Sequence, residues 1–238
     1  MTSHHIFSPL SSLPQGYHLN LSFPLPDYDA HYRASPGGQL SSLLGHRGQG
    51  SLLSYLRTKG LAHHVVARHK QFHSGRFSLM LVSIQMTDHG ERHVDSIIKN
   101  VFQYINMLRK CLPSEEYFKE LKLLTEQRFQ MKEREKAVSA AEQYAHALSV
   151  YAPEDILTGD WCVTEHKPEV VMEMLERLRP DNLRVTILTK NAKYLETKVS
   201  PDVLIDIHPY NPSEVKMGST APELVQSDIK YAKQSYKY

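Results

Sequence analysis

The 238-residue sequence has only two cysteines, Cys111 and Cys162. Two thiols cannot build a disulfide framework, and a reducing, cytoplasmic setting is the expectation. No apolar run approaches the roughly 18 residues that a membrane-crossing helix requires. The opening residues, Met1 to Pro9, lack the basic-then-apolar build of a secretory signal. An excess of one charge is also missing: Lys+Arg is 28 against Asp+Glu 26, a formal charge of +2. Such near-balance leaves no electrostatic footprint for nucleic acid. Neither a nucleic acid nor a membrane is therefore an expected partner. What is present is globular in character, with 41% hydrophobic and 23% charged residues and enough length to bury a core. No internal repeat of solenoid period is evident.

Periodicity divides the chain into elements. Residues 17–23 alternate Leu19, Leu21 and Phe23 with polar residues, which predicts a strand that Pro24 and Pro26 end. Ser35-Pro36 reads as a helix start. Gly45-His46-Arg47-Gly48-Gln49-Gly50 then separates that helix from a second one, capped by Ser51 and closed by Lys59-Gly60. Residues 61–69 and 76–86 predict a hairpin of two strands. The second strand carries Met80, Val82, Ile84 and Met86 on one face and Phe77, Leu79 and Leu81 on the other, so its first half is expected to be covered on both sides. From Asp88 the period is helical. Asp88 and Glu91 have capping-box spacing, and Val94, Ile97, Ile98, Val101, Ile105 and Leu108 form a buried stripe. A helix starting at Pro113-Ser114 carries the charged run Lys132 to Lys136 on its outer face. Further helices are expected over 137–150 and 168–178, and a last strand over 183–188. The order β-α-α-β-β-α-α-α-α-β segregates strands from helices. It predicts the α+β class, a mainly antiparallel sheet with helices packed on one face.

The residues offer little catalytic equipment. Fourteen histidines invite a metal reading, and His89-Gly90-Glu91-Arg92-His93 has two of them at helical spacing. The zinc-helix motifs need glutamate at position 90 or 92, whereas here it is at 91. His63, His64, His69 and His73 on the hairpin read as surface histidines. Cys111 near Lys110 has no placed base. Gly45 to Gly50 lacks the Lys-Ser/Thr of a phosphate loop. It can present backbone N–H groups to an anion or carboxylate, or serve simply as a joint between helices.

Several segments resemble one family, the zinc metallopeptidases that include insulin-degrading enzyme, nardilysin and pitrilysin. The most specific is Leu44-Gly-His-Arg-Gly-Gln-Gly-Ser-Leu-Leu-Ser-Tyr-Leu-Arg-Thr-Lys-Gly60. Others are Leu21-Ser-Phe-Pro-Leu-Pro26, Val101-Phe-Gln-Tyr-Ile105, Asp155-Ile-Leu-Thr-Gly-Asp160 with Lys167-Pro-Glu-Val170, and Leu178-Arg-Pro-Asp-Asn-Leu-Arg-Val185. They run in order from about His5 to Lys190. They match the second, non-catalytic domain of the family, and nothing here resembles the zinc helix of its first domain.

The resemblance implies a domain over residues 1–190 and a loop-rich extension over 191–238 leading towards a linker. It implies no catalytic residue and no metal ligand in this chain, with zinc belonging to the catalytic domain of a larger zinc metalloendopeptidase. The chain itself is expected to be inactive, to line the peptidase chamber and to bind peptide substrate. The positions that carry this over are Gly45, His46, Gly48, Gly50, Val65, Val66 and Ala67. The strand among them would pair with the peptide backbone, and the glycine loop would admit the peptide terminus. Where insulin-degrading enzyme has two glycines after its Leu-Val strand, Ala67, Arg68 and His69 stand here. The implied partners are a peptide and the catalytic domain, in cis or as a full-length peptidase in trans. The alternative is a stand-alone peptide-binding or regulatory paralogue without proteolytic role.

Overall fold

A computed structural model describes residues 6–7, 16–72, 76–111, 114–133 and 136–188. The expected extension over 191–238 lies outside the described residues. The described strands are β1 (Ile6–Phe7), β2 (Tyr17–Pro26), β3 (Ala62–Phe72), β4 (Phe77–Met86) and β5 (Arg184–Leu188). They form one sheet in the order β1-β5-β2-β4-β3. β1 runs parallel to β5, and the other pairings are antiparallel. The helices are α1 (Pro36–Leu44), α2 (Leu52–Thr58), α3 (Asp88–Glu91), α4 (Val94–Cys111), α5 (Glu115–Gln130), α6 (Ala137–Val150) and α7 (Pro168–Glu176). This is the expected α+β arrangement.

One face of the sheet is buried. Leu19, Leu21 and Phe23 of β2 sit opposite Ile84, Val82 and Met80 of β4, all fully buried. Helix α4 covers them with Ile97, Ile98, Val101, Phe102, Tyr104, Ile105 and Leu108. Phe102 meets Phe23 edge-on, with ring centroids 6.0 Å apart. The opposite face is only half covered: Leu79 and Leu81 are partly exposed, and Phe77 is 42% exposed where it stacks on Phe72. The expectation that the first half of β4 is covered on both faces is corrected: at Phe77, Leu79 and Leu81 the second face stays partly open.

Three local expectations also change. β2 runs on through Pro24 and Pro26. Its pairing with β5 ends at Ser22–Arg184. The Pro24 carbonyl beyond that point accepts the side-chain amide of Asn182, 2.7 Å away. Past Ser22 this side of β2 has no neighbouring strand among the described residues, so a missing N–H leaves no ladder bond unmade. The cap of α3 is Thr87, whose Oγ1 accepts the Gly90 N–H at 2.8 Å, and Asp88 is the first helical residue. The charged run 132–136 falls after the end of α5 at Gln130. There Lys132 lies over the Trp161 ring, 4.7 Å from its centroid.

Candidate functional site: an edge strand beside a glycine joint

The glycine segment is a joint that closes on itself. Gly45 caps α1, and its N–H donates to the Ser41 carbonyl at 3.0 Å. His46 is buried, and its Nδ1 accepts the Gly48 N–H at 3.1 Å. The Gly48 carbonyl accepts the Ser51 N–H at 3.2 Å. Gly50 has φ +82°, a left-handed conformation that L side chains adopt at a cost. Ser51 then caps α2, its Oγ accepting the Ser54 N–H at 3.1 Å. The cap supplies one N–H of that helix start with a partner from its own chain, which fits the joint reading better than an anion site.

Among the described residues, β3 is an edge strand of the sheet. Its register with β4 is regular from His64 onward, after a bulge at the strand start. Val65 points into the core and is 1% exposed, so only its backbone can meet a ligand. Val66 and Ala67 are partly exposed. Gly45 approaches this strand closely: a Cβ on it would lie 3.3 Å from the Ala67 nitrogen and 3.8 Å from the Ala67 Cβ. The structure therefore brings Gly45 and Ala67 together. His46, Gly48 and Gly50 shape the joint, and the hydrogen bonds described for His46 and Gly48 stay within it. At the other end of the edge, the Arg57 guanidinium donates to the His63 carbonyl at 3.0 and 2.8 Å.

Beyond Ala67 the edge borders a cleft of about 590 Å³. Its walls are the start of α1 (Ser35 to Gly38), residues 67–71 of β3, the Tyr28–Tyr32 turn, and Tyr151 with Gly159 and Asp160. Sequence reasoning missed it. His69, read as a surface histidine, packs against α1 instead. A Cβ on Gly37 would lie 2.2 Å from the His69 ring. Burial pushes the His69 imidazole below its ordinary pKa, opposed by the nearby Asp29 carboxylate. The signal available was Gly37-Gly38 in the first turn of a helix, a composition that favours close approach. The Tyr32 hydroxyl and the Arg33 Nε both donate to Asp155 Oδ2 at 2.7 Å. These two bonds hold the Asp155 carboxyl below the usual carboxylate range. The Arg33 carbonyl accepts the N–H groups of Thr164 and Glu165. This tie fixes the 151–165 wall to the α1 side.

No group of three or more potential metal ligands occurs among the described residues. His89 and His93 stack with centroids 4.3 Å apart, and His93 Nδ1 bonds the His89 carbonyl. His63 and His64 are exposed, His69 faces α1, and His73 lies outside the described residues. The described histidines among these form no metal-ligand cluster. Among the described residues, no helix is long and apolar enough to cross a membrane.

Residues 6–125 match the family described as "Peptidase M16 inactive domain", and residues 129–203 match the "Middle or third domain of peptidase_M16". The chain is 36% identical to human insulin-degrading enzyme over 161 residues, covering 68% of this chain and 16% of that protein. It is 33% identical to rat nardilysin over 174 residues, covering 72% of this chain and 15% of that protein. Among solved structures, pitrilysin superposes with a TM-score of 0.76 at 21% identity, over 91% of this chain and 24% of that one. The chain thus spans about a sixth of the length of these curated relatives. On the strength of both family matches and the shared fold, this chain belongs to the M16 peptidase family, and its larger part is a domain of that family's non-catalytic kind.

Proposed function

We propose that this chain is the substrate-holding part of a larger zinc metalloendopeptidase, and that it binds extended peptides along β3 without cleaving them. The carrying observation is the edge position of β3 with Gly45 against Ala67. An edge strand offers backbone donors and acceptors that a peptide can pair with, in any sequence context. Glycine at position 45 keeps side-chain bulk away from that edge, while His46, Gly48 and Gly50 hold the joint in shape. Val65, Val66 and Ala67 contribute their backbones. Zinc and the bond-breaking step belong to another domain, supplied in cis or by a full-length peptidase in trans. The half-covered sheet face supports a chamber-lining role. Two free thiols, Cys111 exposed and Cys162 half-buried, support a reducing, cytoplasmic location.

A stand-alone regulatory paralogue is disfavoured by the surface. Val138, Leu148 and Met131 are 72%, 62% and 60% exposed on and beside α6. An apolar surface of that kind supports a chain that packs against further protein. Hydrogen exchange on the 238-residue chain tests the reading. An extended peptide is expected to slow exchange of backbone amides within residues 65–70, with the peptide recovered intact by mass spectrometry. Unchanged exchange along β3, or cleavage that a chelator stops, sinks it.

A further inference from the structure

The described strands contain no aspartate or glutamate. They do carry cations, and the pleat collects these on one side of the sheet. Val65 of β3 pairs with Ile84 of β4, and both are in the core. Arg68 and Lys70 are out of phase with Val65, so they stand on the half-covered face, and both are exposed. Lys70 lies 4.8 Å from the centroid of the Phe72 ring, which stacks on Phe77 of the same face at 4.7 Å. Arg184 of β5 joins them there, because its neighbour Val185 is buried opposite Leu21.

None of these three cations makes an ion pair with a described residue. Arg68 and Lys70 also border the α1 cleft, where the strand edge meets it. The carboxylates on that side are engaged by other groups. Asp160 accepts the Tyr151 hydroxyl at 2.6 Å, Asp27 accepts the Gln71 side-chain amide, and Asp29 has a partner too. Residues two apart on a strand lie about 7 Å from each other. Arg68 and Lys70 are thus like charges held side by side at the free edge of β3, close enough that salt screens their repulsion only in part. Charges on an edge strand discourage chance pairing with other chains. The same charges favour a chain that brings carboxylates to them.

We infer that β3 selects extended peptides with glutamate or aspartate at alternate positions, so that two carboxylates stand opposite Arg68 and Lys70 on the half-covered face. The inference rests on the strand-addition reading above. A peptide on the free edge alternates its side chains as β3 does, and opposite residues of such a pair come within about 5 Å. Opposite charges so placed stabilise the pairing, whereas a basic peptide meets repulsion at both positions. Arg184 shares the register row of Arg68 but lies three strand spacings inward, roughly 14 Å away. It adds to the positive field of the face without meeting a peptide at the edge.

Four eight-residue peptides test it, each acetylated, amidated and labelled with the same neutral fluorophore, on a background of alternating valine and threonine. The first has glutamate at two central positions with one residue between them. The second has glutamine at those positions, and the third has lysine. The fourth has its two glutamates adjacent, so its net charge equals that of the first while only one carboxylate can face Arg68 and Lys70. Binding to the 238-residue chain is read by fluorescence anisotropy at about pH 7 and about 0.15 M salt. The first peptide is expected to bind about fivefold more tightly than the second, with the fourth between them and the third weakest. The preference is expected to shrink as salt is raised. The double variant Arg68→Gln with Lys70→Gln is expected to bind all four alike, and Arg184→Gln to keep the ranking. The ranking on the unaltered chain carries the test should the double variant fold poorly. Equal binding of the first and second peptides to the unaltered chain, or loss of the preference in Arg184→Gln, overturns the charge selection and leaves strand addition standing. Equal binding of the first and fourth does the same, since net charge alone would then account for the preference. Failure of all four to bind overturns both.

Discussion

Gly90 shows how narrow the tolerances are. A Cβ there would lie 1.9 Å from the Leu61 carbonyl oxygen, which already accepts the Thr87 N–H at 3.1 Å. Backbone cannot yield as a flexible side chain would. Gly90→Ala is therefore expected to destabilise the fold by about 1–3 kcal/mol, seen as an earlier urea midpoint. His69 carries a second prediction. The unfolded ring titrates near pH 6.5, while burial lowers the folded value, so below that pH the unfolded chain takes up a proton that the folded chain resists. The stability from this group is intact above about pH 6.5 and is lost as pH falls towards the folded pKa. His69→Gln should lose less stability between about pH 7 and pH 5 than the unaltered chain does. Parallel urea curves at the two values measure the difference, and equal losses would remove His69 from the account. The charge and burial of His69 were not legible in the sequence. Its neighbours Gly37 and Asp29 are distant in the chain, and the pleat of β3 alone does not say what covers it.

At the scale of elements, local rules succeeded wherever the deciding contacts were local. Ser51 caps α2 as expected, α5 begins just after Pro113-Ser114, and α6 has the bounds that its pattern predicts. They failed where a neighbour decided. β2 continues through its prolines because β5 stops at Arg184, which nothing in residues 17–26 can report. Thr87 takes the cap from Asp88 while its hydroxyl also donates to the Gly60 carbonyl at 2.6 Å. The placement of α1, which bears Gly37 and leads to Gly45, is likewise set from outside. The Tyr117 hydroxyl donates to the Gln39 carbonyl at 3.0 Å, and Tyr104 donates to the Leu43 carbonyl at 3.3 Å. Tyr117→Phe removes one of these anchors at nearly constant volume. It is expected to cost about 1 kcal/mol in chemical unfolding. If it also weakens peptide binding, α1 positions the edge site as well as covering the core.

For the whole molecule, the sheet and its helical cover were legible, whereas the cleft was assembled from segments more than a hundred residues apart. Arg33 reaches Asp155 and Tyr32 reaches the same carboxylate, and no window of sequence contains both ends. The exposed apolar side chains have a testable outcome. Concentrated samples of the chain are expected to self-associate in sedimentation velocity. The pair Val138→Ser and Leu148→Ser, both on exposed positions of α6, should reduce that association with little loss of stability. An unaltered sedimentation profile would place the sticky surface elsewhere. The position of β2 bears on biosynthesis. β2, β3 and β4 lie close in sequence and can assemble as soon as they leave the ribosome, whereas β5 arrives only after α4 to α7 have been made. Until then the flank of β2 that β5 will occupy is open to a neighbouring nascent chain. Pro24 and Pro26 deny that intruder a full ladder at one end, so the same prolines that cost the finished sheet nothing guard it while it is incomplete.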